Sequence, residues 1–180
     1  IGMKFGMCHV EGAMSYGAEI AALCDSNEEN LRFAGERYNI PEENRYTDYN
    51  DIINADIDVV TVAIPDQQHK KVSCDFLRAG KNVLCEKPLA LRLDECKEMI
   101  KVAKETGKYL MVGQICRFTP SFVKAKEIID NGDIGELFFV ESEYAHDYSG
   151  MTCEWRKNDP ERDGFLGGAC HAVDLLRWIA

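Results

Sequence analysis

Three short apolar runs each stop abruptly at residues able to do chemistry, and this recurrence constrains the fold more than any other feature. Residues 18–24 are apolar except for Glu19 and end at Asp25; residues 59–64 are apolar except for Thr61 and end at Pro65-Asp66; residues 83–85 end at Glu86-Lys87-Pro88. Continuous apolar runs of this length read as strands buried on both faces, the condition of a parallel sheet. Proline closes such a strand because it has no N–H to donate. Helical patterns lie between the runs. Ser26-Asn27-Glu28-Glu29 is a capping-box sequence that opens a helix running to about Tyr38. A second helix is expected over residues 68–79 with Gly80 as its stop, and a third carries Leu93, Cys96, Met99, Ile100 and Ala103 on one face with Gly107 as C-cap. Strands alternating with helices of about 10 to 15 residues predict βαβ units and a mostly parallel sheet covered on both faces. If those strands are parallel, the three charged ends share one edge, which is where open α/β sheets bind ligands.

The remainder is less regular. Residues 1–17 are helix-like despite four scattered glycines; residues 41–47 read as a loop, 48–55 as a short helix and 109–116 as a further strand. After Arg117 the pattern changes. Thr119-Pro120 supplies an N-cap and first helical residue, and the helix runs to Gly132. Residues 137–146 alternate with period two and are expected to form the longest strand, in a sheet with one wet face. Residues 149–168 are polar and irregular apart from Trp155, and a helix with Val173, Leu176 and Ile179 on its buried side closes the chain. The expected fold class is α/β: a doubly wound parallel sheet of Rossmann type over residues 1–117, followed over residues 118–180 by the start of an α+β domain with a largely antiparallel open sheet.

Composition narrows the function. A net charge of -10 argues against nucleic acid or an anionic membrane as the main partner and leaves a small molecule. No run approaches the roughly 18 apolar residues of a membrane span. The eight cysteines form no C-x-x-C pair and mostly sit inside apolar runs, as expected of buried thiols in a reducing cytoplasm. No metal site is expected, since His9, His69 and His146 are too scattered to suggest one.

Among candidate site residues, Glu86 and Lys87 are either a surface ion pair or a site at a strand end. Asp25 sits where a Rossmann fold places the acid that binds the adenosine ribose, although no G-x-G-x-x-G precedes it and the acid could equally favour the following helix by its charge. His171 and Asp174 are three apart on a helix and share a side; Gly167-Gly168 before them permits close approach of a ligand or backbone. His171 suits a general base, and the plainer alternatives are a hydrogen-bonded core histidine and an Asp174–Arg177 pair worth only about 0.3 kcal/mol. Cys170 precedes His171 directly, but neighbouring helical side chains diverge by about 100°, which favours packing over a Cys-His couple.

Glu86-Lys87-Pro88, Ala22-Leu23-Cys24-Asp25, Ala63-Ile64-Pro65-Asp66-x-x-His69, Arg117-Phe118-x-Pro120 and Gly167-Gly168-x-x-His171-x-x-Asp174-Leu175-Leu176-Arg177-Trp178, in this order, resemble the glucose-fructose oxidoreductase and inositol dehydrogenase family, Gfo/Idh/MocA. The resemblance covers essentially the whole chain. It implies a fragment lacking the first strand and glycine loop and most of the C-terminal domain. It also implies hydride transfer between a nicotinamide and a hydroxyl-bearing carbon of a sugar or cyclitol. By carry-over Lys87 and His171 are catalytic. Asp25, Ile64, Pro65, His69, Glu86, Lys87 and Gln114 bind the cofactor, and Lys87, Arg117, Trp155, His171 and Asp174 meet the substrate. NAD is expected over NADP because no arginine near Asp25 in the sequence would receive a 2′-phosphate. The resemblance further implies a cytoplasmic homo-oligomer joined through the C-terminal sheet when full length. The family also holds NAD-dependent glycosidases, and a non-catalytic dinucleotide-binding role is the remaining alternative. Many members carry an Asp four residues before the histidine; this chain has Gly167.

Overall fold

The computed structural model describes residues 1–147 and 160–180, in two compact units, Ile1–Val112 and Gly113–Ala180. In the first unit the strands are β1 (Leu23–Cys24), β2 (Arg45–Tyr46), β3 (Val59–Val62), β4 (Asn82–Cys85) and β5 (Leu110–Val112), and every pairing is parallel. The ladders are β1–β2 and β3–β4–β5. Ile1 joins the two ladders as a single rung. Its amino group donates to Thr61 O at 2.7 Å, Ala63 N donates to Ile1 O at 2.9 Å, and Gly2 N donates to Cys24 O at 2.8 Å. A cleft of about 480 Å³ lined by Ile1, Val10, Ile20, Leu23, Ile57 and Val60 opens beside this rung.

The helices of this unit are α1 (Met3–Ser15), α2 (Glu28–Arg37), α3 (His69–Arg78) and α4 (Leu93–Thr106). Alternate strand residues face opposite sides of a sheet, and here each side has its own core. Leu23 joins Met3, Val10, Leu31, Ala34 and Ile40 under α1 and α2, whereas Cys24 joins Val60, Val62, Phe76, Leu77, Met99 and Val102 under α3 and α4. Only β1 is buried on both faces; β3 and β4 bury Val60, Val62, Val83 and Cys85 on one face, while on the other Val59 is 57% exposed.

Helix ends follow local chemistry. Asn27 rather than Ser26 caps α2, its side chain accepting from Glu29 N and Asn30 N, with Glu28 and Glu29 in the first turn and Arg37 in the last. Gly107 closes α4 at φ 66° and Gly80 follows α3 at φ 80°, a conformation glycine adopts without cost.

Several expected boundaries differ. The expected strand over 18–24 pairs only at Leu23–Cys24, and the loop expected over 41–47 contains β2, whose two residues are too few for a pattern to mark. The helix expected over 48–55 is a 3-10 turn, Tyr49–Ile52, held by Asp48 accepting from Asn50 N.

In the second unit, α5 (Pro120–Asp130) begins at Thr119-Pro120 as expected, though the Thr119 hydroxyl donates back to Ile115 O instead of capping. A π-helical turn, Phe165–Ala169, leads into α6 (Cys170–Ile179). The long strand expected over residues 137–146 carries no ladder among the described residues. Phe138 is 99% exposed, and a strand needs a neighbouring edge to take its backbone groups.

Candidate functional site

The registers bring the three strand ends of the first unit to one level. Gly2 N is bonded to Cys24 O, Ala63 N to Ile1 O and Glu86 N to Val62 O at 2.9 Å, and Val62 lies opposite Cys85, so Asp25, Ile64 and Glu86 leave the sheet side by side. Asp25 is 9% exposed. Its Oδ2 accepts from Met3 N at 2.6 Å and its Oδ1 from Asn27 N at 2.8 Å. The acid thus ties the first turn of α1 to the end of β1 and presents Asn27 as the cap of α2. Each carboxylate oxygen has a second lone pair, so Asp25 retains acceptor capacity for a ribose hydroxyl.

Two histidines grip the Glu86-Lys87-Pro88 turn, whose Lys87–Pro88 peptide is cis. His9, from α1, places Nε2 2.8 Å from Glu86 Oε1, and the other carboxylate oxygen accepts from Lys87 N at 3.1 Å. Burial alone would raise the Glu86 carboxyl, but the His9 hydrogen bond and charge, with smaller contributions from the Lys87 amide and charge, outweigh it and hold the group below its ordinary range. His69, wholly buried, lies with Nδ1 2.8 Å from Pro88 O and Nε2 2.9 Å from Ile64 O. Carbonyls only accept, so both contacts are hydrogen bonds only when both ring nitrogens carry protons. In either state His69 braces the end of β3 against the turn after β4. With its ring enclosed, it reaches a ligand only through the backbone it positions.

Pro65 starts a 3-10 turn, Asp66–Gln68, that leads into α3, and Asp66 is buried within it. Gly2 enters α1 at φ 86°, and a Cβ there would collide with the Ala63 carbonyl oxygen. Only glycine lets the chain pass that close between strand ends and into a helix N-terminus, whose amides favour anions. A dinucleotide therefore fits this edge on the chain's own features: a glycine-dependent approach, a helix N-terminus and a strand-end carboxylate.

In the second unit Arg117 and Asp174 form a bidentate pair, Nε to Oδ2 at 2.7 Å and Nη2 to Oδ1 at 2.6 Å. Asp174 holds the guanidinium above its ordinary pKa, and the same guanidinium lies 6.0 Å from the Trp178 ring. The alternative Asp174–Arg177 pair does not form among the described residues. His171 is 2% exposed, with its ring 5.1 Å from Tyr144 at 37°. Gly167 is buried against the Arg162 guanidinium, which a Cβ at 167 would displace. Gln114 leads into the turn Ile115–Phe118, and its Oε1 is buried with no hydrogen-bond partner among the described residues. Trp155 lies outside the described residues.

The expected residues thus fall into two groups, Asp25, Ile64, Pro65, His69, Glu86 and Lys87 in one unit and Gln114, Arg117, His171 and Asp174 in the other. Sequence reasoning missed the hold of His9 on Glu86, the Arg117–Asp174 fork and the seat of Arg162 on Gly167. The first two join residues 77 and 57 positions apart, beyond the reach of any local pattern.

A parallel sheet with a core on each face, a glycine-dependent helix entry and three polar strand ends at one edge define a dinucleotide-binding α/β protein. Residues 1–114 match an oxidoreductase family described by its NAD-binding Rossmann fold, and residues 122–180 match the GFO/IDH/MocA C-terminal domain. The chain belongs to the Gfo/Idh/MocA oxidoreductase family. It is 31% identical over 165 residues to an inositol 2-dehydrogenase of Salmonella paratyphi B, covering 91% of this chain and 47% of that protein. Among solved structures it resembles a myo-inositol 2-dehydrogenase of Lactobacillus plantarum, with TM-score 0.83 and 31% identity over 91% of this chain and 49% of the other. It also resembles a levoglucosan dehydrogenase in complex with NADH, with TM-score 0.86 and 28% identity over 99% of this chain and 51% of the other. The chain spans about half the length of these relatives.

Proposed function

We propose that this protein is an NAD-dependent oxidoreductase that moves a hydride between the nicotinamide and a hydroxyl-bearing carbon of a cyclitol or sugar. The observation that carries this reading is the Glu86-Lys87-Pro88 turn, clamped by His9 and His69 at the same level as Asp25. Relatives named for inositol and levoglucosan support the substrate class. NAD supplies the hydride acceptor when bound. Asp25 would accept from its ribose hydroxyls, Ile64 and Pro65 would line it, and Gln114, with a buried oxygen awaiting a donor, would add a polar contact. The Lys87 ammonium orients the substrate hydroxyl and favours its deprotonated form. His171 takes the hydroxyl proton as the carbon–hydrogen bond gives up its electron pair, and returns it in the reverse direction. The Arg117–Asp174 fork fixes the helix that carries His171 and leaves each carboxylate oxygen a further acceptor site for a substrate hydroxyl.

The free thiols of the described cysteines suit a cytoplasmic location, and no helix among the described residues is long and apolar enough to cross a membrane. The exposed Phe138 and Phe139 support self-association through the segment that contains them.

The test is a screen of inositols and sugars with NAD and NADP, read at the nicotinamide absorbance band. Reduction of NAD by at least one polyol is expected; tight NAD binding with no turnover of any of them would favour a non-catalytic dinucleotide-binding role. Release of nitrophenol from a nitrophenyl glycoside without net NADH would instead favour hydrolysis.

A further inference from the structure

We propose that His9 is a positioning residue that sets Lys87 for the role assigned to it above, and the proposal rests on that reading of Lys87. The strand ladder stops at Cys85, so the main-chain N–H of Lys87 has left the sheet and takes its acceptor from a side chain, the Glu86 carboxylate. That carboxylate is only a quarter exposed and is held at both oxygens, by His9 Nε2 on one side and by Lys87 N on the other. An ionised carboxylate only accepts, so Nε2 of His9 carries the proton.

Glu86 is the immediate neighbour of a lysine. Released from His9, its carboxylate could turn to pair with the Lys87 ammonium and draw it from the hydroxyl it serves. His9 directs the carboxylate to the Lys87 main chain instead. The anchor for this is stiff. His9 stands two turns into α1, and α1 is tied to the end of β1 through Gly2 N on Cys24 O and Met3 N on Asp25 Oδ2. α1 therefore links the strand end bearing Asp25 to the strand end bearing Glu86 and Lys87. Errors of about 1 Å at a reacting group cost up to about 100-fold in rate, so a brace of this kind acts on turnover more than on cofactor affinity.

The experiment compares the parent protein with His9→Ala and His9→Gln, the latter retaining an N–H donor. Three quantities are read: kcat, KM for NAD, and hydrogen exchange of the Lys87 and Val83 amides. In His9→Ala, kcat is expected to fall about 10-fold or more with KM for NAD changed less than about 3-fold. Lys87 exchange accelerates while Val83, inside the ladder to β5, keeps its protection, and His9→Gln recovers most of the lost kcat. An unchanged kcat in His9→Ala, with an active parent, overturns the role of His9 alone. Loss of Val83 protection together with an unrescued kcat assigns His9 to general stability and overturns it as well. Absence of turnover in the parent overturns instead the reading of Lys87 on which the proposal stands.

Discussion

Arg117 and Asp174, 57 residues apart, meet as a planar fork in which both carboxylate oxygens are engaged at 2.6–2.7 Å. The pair pins the turn after β5 to α6, the helix that carries His171. Lysine at 117 would keep the charge and lose the fork.

Asp174→Asn and Arg117→Lys are each expected to lower stability by about 1–2 kcal/mol, a charge-assisted pair discounted for the partial exposure of Arg117. Arg177→Ala should change it by less than about 0.5 kcal/mol, since Arg177 makes no ion pair with Asp174. Urea unfolding midpoints check both. Equal losses at 117 and 177 would restore the local pairing that sequence spacing suggests.

His69 holds two carbonyl oxygens from a fully buried position. His69→Ala would remove the donor from at least one of these carbonyls and open a cavity, for an expected loss of about 3 kcal/mol. Denaturant titration measures it. A loss below about 1 kcal/mol would mean that the brace is not holding the two strand ends.

The low-pH behaviour of Glu86 has a defined sign. Its carboxyl lies below the ordinary value of 4.5 in the folded protein, so the folded state gives up this proton more readily than the unfolded state. The stabilisation is therefore complete above 4.5 and disappears as pH falls through the lowered folded value. Parent and Glu86→Gln should differ most in unfolding midpoint at neutral pH and converge under acid conditions. A gap that widens on acidification would contradict the His9–Glu86 bond.

What the sequence made legible were the features written into single segments. The runs ending at Asp25, Pro65 and Glu86 are legible because they are continuous and apolar, although only β1 buries both faces, and α2, α4 and α5 because capping and glycine signals sit at their ends. β2 escaped notice because two residues carry no periodicity, and its strand character comes from pairing with β1. The alternation over residues 137–146 predicts a strand that has no ladder among the described residues, because a pattern becomes a strand only beside a partner edge. The site residues were legible as types at strand and helix ends. Their partners were not, since His9–Glu86 and Arg117–Asp174 are set by tertiary packing.

The cysteines offer a chemical check. Burial pushes the Cys24 thiol up to about 11 and the Cys85 thiol up to about 12, whereas Cys8 is exposed on α1. An aromatic disulfide reagent should label Cys8 in the native protein and reach Cys24 and Cys85 only on unfolding, because the thiolate and access are both required. Mass mapping of the labelled peptides reads the order, and early labelling of Cys85 would mean that β4 opens in the native state.

The most direct measurement is NADH formation from inositols and sugars by the parent protein, Lys87→Ala and His171→Ala, with NADH binding followed in parallel by fluorescence. The parent should reduce NAD with at least one of these polyols. Each variant should keep NADH affinity within about 10-fold while losing about 100-fold or more in kcat, the usual scale of a proton-transfer group. Turnover that survives both substitutions undiminished would contradict the account.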